Sequence, residues 1–208
     1  MSDLTSRQQA TATIGAFTAA GQLPQLRDAL ADGLDAGLTI NEINEILIQM
    51  YAYAGFPRSL NGLGTFMDLL EQRRTKGITD EAGPEPTPLM NDKTSVELGT
   101  VNQTKLSGKP VTGPLFDFAP AIDEFLKGHL FGDIFGRDNL DWQSREIATV
   151  AALATLEGLE SQLQSHLGIA LNTGLTETNL RGLITILRER VGEPQADRAA
   201  AVLDKLLN

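Results

Sequence analysis

Apolar positions recur along most of this chain with the spacing of helices. Over residues 5–20, Thr5 and Gln8 form the reciprocal capping pattern that opens a helix, and Ala12, Ile14, Ala16 and Phe17 follow as core candidates. A second helix is expected from Pro24, whose fixed φ suits a first helical position, to about Asp35, with Leu26, Leu30 and Leu34 on one face. Gly37 ends it. Thr39 caps a third helix, with Glu42 in the reciprocal position and Ile43, Ile46, Leu47 and Met50 spaced as a buried stripe. Gly55-Phe56-Pro57 breaks that helix, and a fourth from Pro57 carries Leu60, Leu63, Met67 and Leu70.

Residues 73–115 lose the period. The run Gly83-Pro84-Glu85-Pro86-Thr87-Pro88 and the many Thr, Asn and Lys residues suggest a linker or a wrapping arm. Helical patterning returns from Phe118 through Ala121, Ile122, Phe125 and Leu126, and the Gly and Asn residues over 129–142 suggest a bend. Two consecutive apolar helical segments then carry Glu146 and His166, and close on Gly174-Leu175-Thr176.

That closing triplet repeats Gly37-Leu38-Thr39. At a shift of 136, Ala12-Thr13-Ile14 falls on Ala148-Thr149-Val150. At 137, Gln25-Leu26 falls on Gln162-Leu163, and Gly55-Phe56-Pro57 on Gly192-Glu193-Pro194. The chain reads as an internal duplication, with residues 1–72 and 116–208 as repeats, 73–115 between them, and one extra residue between Leu156 and Gln162. Two helical halves that each bury an apolar face give an all-α bundle.

Composition narrows the function classes. With 17 Lys and Arg against 27 Asp and Glu the net charge is -10, which disfavours nucleic acid or an anionic membrane as partner. No apolar run of about 18 residues and no secretory leader pattern occurs, so no membrane partner and a cytoplasmic location are expected. Cysteine is absent, which removes disulfides, thiolate metal sites and thiol redox chemistry.

The candidate chemistry rests on few residues. His166 shares a helix face with Leu163, Leu167 and Ala170 and should point inward, as a hydrogen-bonded core residue or as a proton carrier. Glu146 shares a face with Val150 and Leu153; a buried carboxylate is costly unless paired, so it marks either an ion pair or a site. His129, near a Gly-rich bend, fits a solvated surface group or a third site residue. Arg145 fits a surface ion pair or a bidentate grip on a substrate carboxylate. Tyr53 and Phe56, with Tyr51, suit core or subunit packing or a pocket wall. Trp142 reads as packing, and Asp138 and Asp141 as turn and cap residues. Imidazole and carboxylate can hold Zn or Fe, but no H-x-H or H-x-x-x-H spacing occurs, so no metal and no cofactor is expected. Phosphate-cradling and dinucleotide fingerprints are absent too.

Arg145-Glu146 before an Ala-rich helix, His166 on the next, then Ala170-Leu171-Asn172-Thr173-Gly174-Leu175-Thr176, resemble the carboxymuconolactone decarboxylase family, which is related to the alkylhydroperoxidase D proteins. In the first half the resemblance is carried by Gly37-Leu38-Thr39, Glu42-Ile43, Tyr53-Ala54-Gly55-Phe56-Pro57 and Leu60-Asn61-Gly62-Leu63. The segment His129 to Phe135 resembles the stretch before the core motif in the decarboxylases proper. The resemblance covers about residues 5–72 and 116–208. It implies small all-α subunits in trimeric or hexameric rings; a fused pair implies a homo-oligomer, a trimer with pseudo-hexameric symmetry.

The peroxidase branch carries a Cys-x-x-Cys pair where this chain has Glu157 to Gln162, so thiol peroxidase activity is not expected. The first repeat has Ala10 and Ala29 opposite Glu146 and His166, and the second has Arg188 to Pro194 where the first keeps Tyr51 to Pro57. Each keeps what the other lacks, which fits one composite site or no site. The resemblance implies a cofactor-independent lyase acting on a small unsaturated carboxylate or lactone. His166 and Glu146 would then be catalytic with His129, and Arg145, Tyr53 and Phe56 would bind substrate. A non-catalytic oligomeric scaffold or small-ligand binder is the alternative, and isomerase or hydrolase chemistry would use the same pair.

Overall fold

The computed structural model describes residues 4–89 and 92–208, and every regular element among them is helical. A first series comprises α1 (Ser6–Ala20), α2 (Leu23–Asp35), α3 (Ile40–Gln49), the single turn α4 (Tyr51–Ala54) and α5 (Phe56–Thr75). A middle stretch holds α6 (Ser95–Ser107), α7 (Pro114–Phe118), α8 (Pro120–Phe125) and a π-helix (Leu126–Ile134). A second series follows as α9 (Trp142–Thr155), α10 (Glu160–Asn172), α11 (Glu177–Arg190) and α12 (Glu193–Leu207). The helix caps explain these boundaries locally. Thr5, Thr39 and Thr176 each accept from the backbone N–H three residues on, while Gln8, Glu42 and Asn179 reach back to the cap backbone. Gly37 and Gly174 occupy matching turns at φ 90° and 98°, a region closed to most side chains.

The two series meet where α1 crosses α9. Ala12 and Ala16 of α1 pack into the core of the second series with Val150, Leu163, Leu167, Leu183 and Leu203. Ala148 and Ala152 of α9 pack into that of the first, with Ile14, Leu26, Leu30, Ile46 and Met50. Small residues are needed here because the backbones approach closely. A Cβ on Gly15 would stand 2.6 Å from the Ala148 carbonyl oxygen, a backbone atom that cannot swing aside. Gly15→Ala is therefore expected to destabilise the protein by about 1–3 kcal/mol, read as a lowered denaturation midpoint at unchanged slope.

Helix α5 turns Ser59, Gly62, Phe66 and Leu69 inward, with Leu63 and Leu70 partly buried against the core, while Leu60 and Met67 are 61% and 68% exposed. Residues 95–107 are not irregular, because α6 packs on the π-helix. Its buried face is Gly99, Asn102, Gln103 and Leu106, so it has no apolar period to read. Contact is tight there, a Cβ on Gly99 falling 1.7 Å from the Lys127 carbonyl oxygen, and Asn102 Nδ2 donates to the Phe131 carbonyl at 2.8 Å. Residues 81–87 are tied down at two points. The Glu81 and Ala82 carbonyls accept from the first backbone N–H groups of α3, and Thr87 N–H donates to Asp138.

Candidate active site

The central helix α9 starts at Asp141, whose carboxylate accepts from Ser144 N–H at 2.9 Å. One turn later Glu146 enters the core with no exposed surface, and His166 reaches it from the middle of α10. Their contact is a 2.8 Å hydrogen bond between His166 Nδ1 and Glu146 Oε2. Among the described residues Nε2 has no hydrogen-bond partner, and it is not sealed off. Tyr53 of α4 sets its ring edge against the imidazole, centroids 5.4 Å apart and planes at 80°. The first series thus supplies one wall of a site whose acid–base pair belongs to the second.

Three polar atoms around this contact are buried without a partner: Glu146 Oε1, the Tyr53 hydroxyl and Arg145 Nε. The phenol lies beside the Thr149 hydroxyl but out of hydrogen-bond geometry, and that hydroxyl already accepts from Gln49 Nε2 at 2.7 Å. Burial, and then the Glu146 charge, push the Tyr53 phenol well above its ordinary value, so it stays a protonated donor.

Arg145 is wholly buried and held by the first series. Its Nη2 donates to Glu45 Oε2 and to the Arg137 carbonyl, both at 3.0 Å, and Nη1 donates to Gln49 Oε1 at 3.1 Å. The guanidinium lies 5.8 Å from the Phe135 ring centroid. Glu45 also accepts a fork from Arg137 at 2.7–3.0 Å. Burial works against both charges. On Glu45 the hydrogen bonds and charges of Arg137 and Arg145 outweigh it and hold the carboxyl below its ordinary value; on Arg145, with one anion to share, burial leaves the guanidinium below its own. Glu45, Gln49 and Arg137 are site-supporting residues that reading the chain alone passed over. The available signal was Glu45 and Gln49 one turn apart on α3, on a helix whose other inward positions are apolar.

His129 and Phe56 stand in a second group at the surface. His129, in the π-helix, pairs with Asp133 at 2.9 Å and lies 5.4 Å from Tyr51, whose ring stacks on Phe56 at 4.3 Å. Its side chain is 53% exposed, and Phe56 is 62% exposed. Among the described residues no three His, Asp or Glu side chains are arranged to hold a metal ion, and no helix is long and apolar enough to cross a membrane. An open cleft of about 390 Å³ lies elsewhere, lined by Ala10, Thr13, Asp32 and Arg190 among others, and an Arg190–Asp32 ion pair joins two of its walls. The acid–base pair itself is confined to α9 and α10.

Comparison with known proteins places the chain beside one family. Over 121 residues, 56% of this chain and 90% of the relative, the sequence is 26% identical to a protein of Acinetobacter baylyi named 4-carboxymuconolactone decarboxylase. Residues 120–205, which contain the π-helix, Arg145, Glu146 and His166, match the family described as Carboxymuconolactone decarboxylase family. The match to this family thus spans the stretch that carries Arg145, Glu146 and His166.

Proposed function

We propose that this protein is a cofactor-independent carboxy-lyase acting on a small unsaturated carboxylate or lactone. The observation that carries the reading is the buried His166–Glu146 hydrogen bond, with Nε2 of the same ring left unbonded. Glu146 fixes the ring through Nδ1, so Nε2 is the atom left to exchange a proton with a ligand. In such a reaction the bond to the departing carboxylate breaks, CO2 leaves, and the electron pair moves into a conjugated carbonyl. Nε2–H of a protonated His166 then delivers a proton to carbon, and solvent restores it. One proton is consumed for each CO2 released. The apolar surroundings of α9, α10 and Tyr53 strengthen the electrostatics by keeping water away.

The alternative, a scaffold or ligand binder without chemistry, is favoured by one feature: the pair bonds directly to itself inside a packed core. Turnover of 4-carboxymuconolactone, chosen for the relative's activity, separates the two. Release of CO2 at a rate that requires His166 supports the lyase, and ligand retention without turnover supports the binder.

The matching caps and helix order of the two series support reading the chain as a duplicated unit, which assembles as a trimer with pseudo-hexameric symmetry. The outward stripe of α5, with an open cleft of about 410 Å³ between Asn44, Leu63, Met67 and Leu70, suits burial against another subunit. Light scattering should give three times 22.4 kDa, about 67 kDa. A mass of 22.4 kDa would sink this assembly.

A further inference from the structure

Two of the unpartnered atoms of the core, Glu146 Oε1 and Arg145 Nε, belong to groups whose charges act on the third, the Tyr53 hydroxyl. Buried polar atoms are satisfied in nearly all folded proteins, so an orphan phenol hydroxyl with two further orphans on neighbouring groups needs an explanation. Internal packing does not supply it. The Thr149 hydroxyl accepts from Gln49 and makes no hydrogen bond to the phenol, the other Arg145 nitrogens are held by Glu45, Gln49 and the Arg137 carbonyl, and Glu146 Oε2 is held by His166. What remains is two N–H or O–H donors, from Tyr53 and Arg145, and one carboxylate oxygen. An oxygen atom of a bound molecule that gathers negative charge is the chemistry those donors complement.

We propose that the Tyr53 hydroxyl is a catalytic residue of the His166 site, donating a hydrogen bond to the substrate oxygen that becomes an enolate as CO2 leaves. This rests on the lyase reading above. It changes the role of Tyr53 from apolar wall to hydrogen-bond donor, and it makes the site composite, because the donor comes from the first series and the acid from the second. The balance is simple. The electron pair of the broken carbon–carbon bond resides on the oxygen facing Tyr53 until His166 protonates carbon, and Tyr53 keeps its own proton throughout. The substrate class follows as one whose carbonyl oxygen is conjugated to the carbon that loses CO2, such as an unsaturated lactone acid.

The test uses Tyr53→Phe in the full chain with two probes. With 4-carboxymuconolactone, Tyr53→Phe should lower kcat about 100-fold with KM changed little, the loss typical of one oxyanion donor. The fold should be unharmed or firmer, since the variant removes a buried hydroxyl that has no partner. Tetronate, an unreactive five-membered lactone enolate, serves as the binding probe by calorimetry. The wild type should bind it at least about 10-fold more tightly than Tyr53→Phe. If tetronate binding depends on Tyr53 while the lactone is not turned over, the donor role stands and the lyase reading falls. Equal binding or equal kcat in Tyr53→Phe and wild type overturns the donor role, as does a wild type that binds no tetronate. A crystal structure with a lone water on the Tyr53 hydroxyl, unmoved by tetronate, would assign the orphans to structural solvent and overturn it too.

Discussion

Replacing His166 by Ala is expected to lower turnover of an unsaturated lactone acid by about 100- to 10,000-fold, the range that general acid catalysis contributes. The imidazole combines an orientation fixed by Glu146 with a nitrogen that can both give and take a proton near neutral pH, which the permanently charged Arg145 guanidinium cannot do. Its loss also leaves Glu146 buried without a partner, which costs stability for a reason unrelated to catalysis. His166→Gln separates these effects. A glutamine amide can still donate to Glu146 Oε2 but cannot carry a proton to carbon, so activity should remain lost while the thermal midpoint stays closer to the wild type. Activity near the wild-type level in a folded His166→Gln protein would end the acid–base account. Glu146→Gln should be milder, because it weakens the orientation of the ring and leaves the ring in place.

The second large effect is on stability. Glu45→Gln is expected to cost about 3–5 kcal/mol, because Arg145 would keep its charge in the core with no anion beside it. At about 2–4 °C per kcal/mol for a chain of this size, the melting midpoint should fall by roughly 6–20 °C in calorimetry. The pH dependence carries a second signature. Because the Glu45 pKa is lowered in the folded state, its contribution is present above the ordinary carboxylate value of 4.5 and is lost as pH falls through the lower folded value. Glu45→Gln should therefore flatten that part of the acid limb, and an unchanged limb would assign acid sensitivity to other groups. The same residue links the halves, since Glu45 on α3 faces Arg145 on α9 across the interface of the two series.

How much of this could be read from the chain depended on how local the physics was. The caps at Thr5, Thr39 and Thr176 were legible because donor and acceptor lie three residues apart. The stripe on α5 was legible as a stripe but not as a direction. Leu60, Leu63, Met67 and Leu70 have the same spacing whether they face the core or another surface, and the inward face, Ser59, Gly62, Phe66 and Leu69, is half small residues. Helix α6 was hidden for the same reason, its buried positions being mostly Gly, Asn and Gln.

At the site, the inward faces of α9 and α10 pointed to Glu146 and His166, and the structure brings those two within hydrogen-bond distance. Arg145 carries a charge whose partner, Glu45, lies 100 positions away, and no spacing rule reaches that far. Tyr53 looked like one aromatic among three, and its contact with His166 and its unpartnered hydroxyl set it apart from Tyr51 and Phe56.

The most direct test of the account is decarboxylation of 4-carboxymuconolactone by the purified full chain in D2O, with the product examined by NMR. Delivery from one face by His166 predicts a single deuterium at the protonated carbon in one configuration, at a rate that collapses in His166→Gln. A correctly folded protein that releases no CO2, or one whose product is deuterated equally on both faces and at the same rate without His166, would contradict it.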